Sequence, residues 1–273
     1  MSIEPTLKLG ELEIRRLGFG AMRLTGYRPA EDRRESVRIA RLAVELGVNF
    51  IDTADAYGIG ANEELLAEAL YPYSDGLVIA TKIGHTRPSP SEWKPVRRPE
   101  YLRQAAELCL RRLRVERIDL LQLHRIDPLV PLADQFGALA QLVAEGKVRH
   151  VGLSEVTVDQ LEEARRYVEV VSVQNRYNLM DREHDSVLDH CTRAGITFIP
   201  WLPIAREPSA VLDQVASEVA ATPQQVSLAW LLHRSPVVVP IPGTSSAEHL
   251  IANVATGQIE LTANQVARLD ALV

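Results

Sequence analysis

From Arg16 to Pro242 short apolar runs alternate with longer amphipathic stretches, and this repetition restricts the chain to a parallel α/β architecture. Eight runs read as strands: RLGFGA, NFIDT, LVIATK, IDLLQLH, HVGLS, VVSVQN, TFIPW and VVVPIP. Between them ESVRIARLAVELG, PEYLRQAAELCLRRL, LADQFGALAQLVAEG and TVDQLEEARRYV repeat apolar residues at helical spacing. Thr157 with Gln160, Thr222 with Pro223 and Gln225, and Thr262 with Gln265 have the hydroxyl-to-glutamine spacing of a capping box. Gly47 and Gly146 follow periodic runs as helix stops. Eight strands and eight helices with no linker-like segment predict one (β/α)8 barrel, an α/β TIM barrel forming a single domain over residues 1–273. Ahead of it, TLKLGELEIRR predicts a β-hairpin turning at Gly10-Glu11.

A doubly wound sheet shares the alternation but requires a dinucleotide fingerprint. GFGAMR keeps only two of the three glycines and runs into RLTGYRPAED instead of a helix, which excludes that reading. Gly18 and Gly20 are therefore expected to let the chain pass close to a ligand or a neighbouring strand, with simple packing as the alternative.

Charge narrows the partners. The net charge is −6 and no basic run exceeds two residues, so nucleic acid is not expected as the main partner. Cys109 and Cys191 lack a CxxC spacing, so neither a metal site nor a redox pair is expected, only free thiols in a reducing compartment. No window approaches eighteen uninterrupted apolar residues, and MSIEPTLKLGELEIRR lacks the basic start and apolar core of a signal peptide. A cytoplasmic monomer or small homo-oligomer is expected, without membrane association.

In a barrel of this kind the chemistry collects at the C-terminal ends of the strands. Those ends carry Asp52 and then Tyr57, Lys82, His124, Ser154-Glu155, Gln174-Asn175, Trp201 and Ile241-Pro242-Gly243-Thr244. Strand parity puts residues 50 and 52 on one face, as it does 80 with 82 and 120 with 122 and 124. Singly, an aspartate after a strand caps a helix, a tyrosine packs, a lysine meets solvent and a histidine bonds within a core. Together Asp52, Tyr57, Lys82 and His124 make a chemical set. A carbonyl that receives a hydride develops negative charge on oxygen and needs a proton there. A phenol is a weak acid, and a nearby ammonium is expected to lower its pKa. Asp52 would hold Lys82 charged, and His124 would orient the carbonyl.

With these residues in place, the chain is similar to members of the aldo-keto reductase superfamily. The resemblance spans LGFGAM, FIDTADAYG, VIATKIG, DLLQLH, GKVRHVGLSE, VQNRYN, IPWLPI and IPGTSSAEHLIANV. It implies a barrel that binds NADPH, less often NADH, and reduces a small-molecule aldehyde or ketone with Tyr57 as acid. By position it implies that Ser154 and Gln174 hold the nicotinamide carboxamide and that Trp201 stacks on the ring. Gly243, Thr244, Ser245, Ser246 and Asn253 would line the adenosine phosphate end. Where relatives carry asparagine this chain has Glu155, and where they carry lysine and arginine it has Gly243 and His249, the last two weakening the expected hold on a 2′-phosphate. Glu155 can accept from the carboxamide but not donate to it, and its charge could favour the oxidised cofactor and alcohol oxidation. Ser245 with Glu248 also fits a capping box, with no ligand needed. Relatives often carry a further C-terminal loop over the substrate, so an open pocket is expected here, walled by GHTRPSPSEWKPVRRPE. In that segment Trp93 either faces the substrate or packs on the rim. EALYPYSDGLVIATKIG and QQVSLAWLLHRSP resemble the pyridoxal reductase (pyridoxine 4-dehydrogenase) branch, which implies pyridoxal as substrate. A barrel that senses nicotinamide cofactor as a regulatory subunit, with little turnover, is the alternative function.

Overall fold

A computed structural model describes residues 5–25, 32–204 and 207–273. The chain opens with an antiparallel hairpin, β1 (Thr6–Leu9) and β2 (Leu12–Arg15), whose register pairs Leu9 with Leu12 across Gly10-Glu11 as the sequence predicts. The main sheet follows: β3 (Phe19–Gly20), β4 (Phe50–Asp52) and β5 (Val78–Ile83). A second small hairpin, β6 (His85–Thr86) with β7 (Lys94–Pro95), leaves β5 at its end, and the sequence pattern did not announce it. The sheet resumes with β8 (Ile118–Leu123), β9 (Val148–Ser154), β10 (Val170–Gln174) and β11 (Thr197–Phe198). Its seven strands are parallel, in the order β11-β10-β9-β8-β5-β4-β3.

The predicted eighth strand, VVVPIP, closes the cylinder without forming a regular ladder. On one side Phe198 N–H donates to the Val237 carbonyl and Val239 N–H to the Phe198 carbonyl, both at 2.9 Å. On the other, Gly18 N–H donates to the Pro240 carbonyl at 3.0 Å and Gly20 N–H to that of Pro242 at 3.4 Å. Pro240 and Pro242 have no N–H to return, so the segment accepts on its β3 side but does not donate from those positions. Gly20 makes this approach possible: a Cβ there would sit 2.7 Å from the Ile241 carbonyl oxygen, and one on Gly243 2.8 Å from that of Gly20. Gly20→Ala is expected to cost about 1–3 kcal/mol in denaturant titration, the usual range for overpacking.

Ten α-helices occur among the described residues, two more than expected. They are α1 (Arg33–Glu45), α2 (Ala61–Leu70), α3 (Pro99–Leu113), α4 (Leu132–Ala144), α5 (Val158–Ala164), α6 (Asp185–Ala194), α7 (Ala210–Glu218), α8 (Pro223–Arg234), α9 (Ala247–Ala255) and α10 (Ala263–Asp270). Capping boxes form at Thr157, Thr222 and Thr262. Gly47 and Gly146 follow α1 and α4 at φ +90° and +72°. The cap of α9 differs from the expectation. It is Ser246, not Ser245, whose hydroxyl accepts from His249 N–H at 3.4 Å, while Thr244 Oγ1 accepts from Ser246 N–H at 3.0 Å.

Two apolar layers result. Helices pack on the outside of the sheet, as where Leu102, Cys109 and Leu139 meet Ile83, Leu121 and Val151. Inside the cylinder Phe50, Val78, Ala80, Leu120, Val171, Ile199, Val239 and Ile241 form a second core with Leu9 and Ile14 of the hairpin. The hairpin thus plugs the end where the strands begin, held by Arg15 N–H to Asn49 Oδ1 at 2.7 Å, just ahead of β4. The opposite end, where the strands finish, holds the polar groups. No described helix is long and apolar enough to cross a membrane.

Candidate active site

Alternation along β4, β5 and β8 turns Phe50, Ala80 and Leu120 into the inner core, and the next residues of the same parity are Asp52, Lys82 and Gln122. These meet at the barrel mouth. Lys82 Nζ donates to Asp52 Oδ2 at 2.5 Å, to the Thr53 carbonyl at 2.9 Å and to the Tyr57 hydroxyl at 3.4 Å, which occupies all three ammonium hydrogens. The other carboxylate oxygen, Asp52 Oδ1, accepts from Gln174 Nε2 at 2.8 Å and Gln122 Nε2 at 3.1 Å. Both charges are buried, and every donor and acceptor that burial would strand finds a partner.

Tyr57 reaches this pair because the loop after β4 doubles back. Thr53 N–H and Asp55 N–H bond to the Ala80 and Lys82 carbonyls at 2.8 and 3.0 Å, stitching the loop to β5. The turn Tyr57–Gly60 then passes through three left-handed residues, Gly58, Ile59 and Gly60, before α2 begins.

Burial decides the protonation states. It pushes the Tyr57 phenol above its ordinary value, although Lys82 pulls the other way. That corrects the sequence expectation of a depressed pKa: Asp52 offsets the ammonium that was to lower it, and desolvation outweighs the remainder. Burial alone would also lower the Lys82 pKa, but Asp52 raises it above normal, so the ammonium persists. His124 is driven well below its usual value by burial and then by Lys82, and is a neutral imidazole.

An aromatic wall stands over Tyr57. Its ring meets Trp93 and His124 edge to face at 6.3 and 6.1 Å between centroids, and Trp93 meets His124 at 5.7 Å. Trp93 therefore lies beside the phenol, carried there by the hairpin β6–β7. His85 of the same hairpin packs edge to face on His124 at 4.5 Å. The Arg87 guanidinium lies 3.7 Å from the Trp93 ring centre.

Across the mouth lie the remaining candidates. Ser154 ends β9 in register with Gln174, and both are buried. The Gln174 amide nitrogen is taken by Asp52 and Gln122, which leaves its oxygen to accept from a ligand N–H. Trp201 is half-buried, with the Arg125 and Arg176 guanidiniums 5.9 and 6.0 Å from its ring centre. Glu155 adopts a left-handed φ of +55°. Its carboxylate accepts from Trp201 Nε1–H at 2.5 Å and Arg176 N–H at 2.6 Å, and pairs with Arg125 at 3.1 Å. Beyond Gly243, Thr244 and Asn253 are buried while Ser245 and His249 are exposed. A nicotinamide carboxamide and ring are complementary to Ser154, the Gln174 oxygen and the Trp201 face, so the donor set fits that cofactor. Among the described residues no group of three His, Cys, Asp or Glu could hold a metal.

Gln122, Arg125, His85 and Arg97 were not singled out from sequence. Parity marked Gln122, which shares a strand face with His124. The other three lie just past strand ends or in a Pro-rich segment with no periodicity to reveal them.

Comparison with known proteins agrees with this fold. The Aldo/keto reductase family model matches residues 16–210 and 206–273. An uncharacterised oxidoreductase of Schizosaccharomyces pombe is 48% identical, the match covering 97% of this chain and 89% of that protein. The pyridoxine 4-dehydrogenase of Escherichia coli is 39% identical, with 98% of each chain covered. A thermostable aldo-keto reductase solved with the inhibitor epalrestat superposes with a TM-score of 0.88 at 32% identity, over all of both chains. An aldo-keto reductase of Klebsiella pneumoniae solved with NADPH gives 0.85 at 27%, over 99% of this chain and 95% of that one. With a family model matching from residue 16 to residue 273 and relatives 48% and 39% identical over nearly the whole chain, the chain belongs to the aldo/keto reductase family.

Proposed function

We propose that the chain reduces an aldehyde or ketone with NADPH, Tyr57 giving the proton to the carbonyl oxygen while His124 orients it. The observation that carries this reading is the Tyr57 hydroxyl, a protonated phenol 3.4 Å from Lys82 Nζ and in the same cup as a neutral imidazole. When bound, the nicotinamide supplies the hydride. Tyr57 supplies the proton, and the Lys82 ammonium, kept charged by Asp52, stabilises the phenolate left behind. Ser154 and the Gln174 oxygen hold the carboxamide, Trp201 backs the ring, and Gly243, Thr244, Ser245, Ser246, His249 and Asn253 face the adenosine end. The Klebsiella protein's complex with NADPH supports that cofactor.

The substrate we propose is an aromatic aldehyde, with pyridoxal as the leading candidate. Trp93, Tyr57 and His124 form a wall suited to a flat ring, and the Escherichia coli relative is a pyridoxine 4-dehydrogenase. NADPH oxidation with pyridoxal, benzaldehyde and an aliphatic aldehyde tests this. Preference for pyridoxal supports the full reading. Turnover of benzaldehyde alone keeps the chemistry and discards the substrate, and cofactor binding without turnover favours a regulatory role.

Glu155 serves in this reading as a strut, not as a sensor of cofactor charge, because Arg125 already balances it. Glu155→Gln is expected to weaken NADP+ and NADPH alike, by about tenfold or less, in a Trp fluorescence titration. A selective loss of NADP+ affinity would show that the charge acts on the ring instead.

The pH profile follows from the same groups. His124 and His85 both stay neutral, His85 being held down at about 3 by burial and three neighbouring arginines. Tyr57, raised by burial, stays protonated through neutral pH. With an aldehyde that does not itself titrate, kcat for reduction is therefore expected to be level from about pH 5.5 to 8.5 and to fall only as the phenol ionises.

A further inference from the structure

Behind the aromatic wall sits a charge that the chemistry above does not use. Arg97 follows β7 and is wholly buried, with Nε and Nη1 lacking hydrogen-bond partners. Its Nη2 lies 3.4 Å from His85 Nε2. Gly84 makes room for it: at φ +108° that residue has no side chain, and a Cβ there would stand 3.1 Å from Arg97 Nε. A buried guanidinium is costly, and retaining one with so few bonds calls for a role. The contact itself indicates which. A guanidinium only donates, so His85 Nε2 must accept, and the one proton of the neutral ring must sit on Nδ1. The same ring packs perpendicular to His124, the residue proposed to orient the carbonyl, at 4.5 Å between centroids.

We propose that Arg97 is a positioning residue for the reduction: it fixes the tautomer of His85 and denies that ring a second proton, so that His85 supports His124 as a neutral partner. This rests on the proposed reading of His124. Arg97, Arg125 and Arg87 act on His85, and Lys82, His85, Arg125 and Arg97 act on His124. Asp127 and Asp55 favour the Arg97 charge, and Arg125 opposes it. The groups that act most strongly on the two imidazoles are positive, so a proton on His85 would add a further cation to the Lys82 cup. The ring would be driven from its place and its support of His124 lost.

The test replaces Arg97 with a residue of similar length and no charge, and follows kcat/KM for benzaldehyde between about pH 4 and 8. Wild type is expected to be level. Arg97→Met is expected to acquire an acid limb that wild type lacks, with a midpoint displaced upward but still below the ordinary histidine value of about 6.5, because burial, Arg125 and Arg87 continue to oppose the proton. The double variant R97M/H85F is expected to lose the limb, and Arg97→Lys, which still donates to Nε2, to resemble wild type. Parallel level profiles for wild type and Arg97→Met would overturn the proposal, whatever the change in rate, because a merely structural role lowers activity equally at each pH. Should Arg97→Met fail to fold, nitrogen-15 NMR of the wild-type histidines decides without turnover. A proton on His85 Nδ1 from pH 5 to 8 supports the assignment, and one on Nε2 overturns it. Absence of turnover by wild type with benzaldehyde and pyridoxal alike would sink the reductase reading and leave the NMR result standing.

Discussion

Tyr57→Phe is expected to keep cofactor affinity within about twofold and to lose about 10²–10⁴ in kcat, the span that a positioned proton donor contributes. The substitution removes one oxygen from a ring held edge to face by Trp93 and His124, so the wall stands and only the proton is missing. Lys82 keeps its bonds to Asp52 and Thr53 and loses the longest of its three, so the fold is expected to change little. Cofactor titration by Trp fluorescence together with single-turnover kinetics separates the two effects. A variant that retains the wild-type rate would remove Tyr57 from the chemistry and the proposed mechanism with it.

Asp52→Asn is the change expected to injure the fold most. It leaves the Lys82 ammonium in the barrel interior without its counter-charge, and it offers an amide where Gln122 and Gln174 both donate. Breaking a buried pair from one side costs roughly 3–5 kcal/mol, a large part of the margin of an ordinary domain. Thermal unfolding should show the loss directly. The double variant D52N/K82M is expected to recover much of the stability and none of the turnover. A single variant as stable as wild type would mean that water or a shifted side chain replaces Asp52, against the tight geometry of the pair.

Much of this was legible before any coordinates. Alternation gave the barrel, parity aimed Asp52, Lys82 and His124 inward, and the capping boxes at Thr157, Thr222 and Thr262 formed as read. The failures have physical causes. Runs containing proline, TFIPW and VVVPIP, are apolar enough to be strands but cannot complete a ladder, so β11 is short and the eighth run closes the cylinder without one. Ser245 and Ser246 are adjacent hydroxyls, and spacing to Glu248 or His249 could not decide which turned into the helix. The direction of the Tyr57 shift was misread because sequence shows which charges are near and not how dry the site is. Arg97 and His85 were invisible because their segment, GHTRPSPSEWKPVRRPE, has no period. Which of its side chains turn inward is settled by a hairpin of two-residue strands.

The seam of the cylinder bears on how safely the chain can open. A barrel that parts there exposes two sheet edges and a free segment, the usual template for one molecule to pair with the next. Here both edges, β3 and β11, are two residues long. The segment between them carries prolines at positions 240 and 242, where an intruding strand would seek N–H groups. Thermal breathing at this joint therefore presents neighbours with little to bind, and the prolines that spoil the ladder also guard the molecule against aggregation.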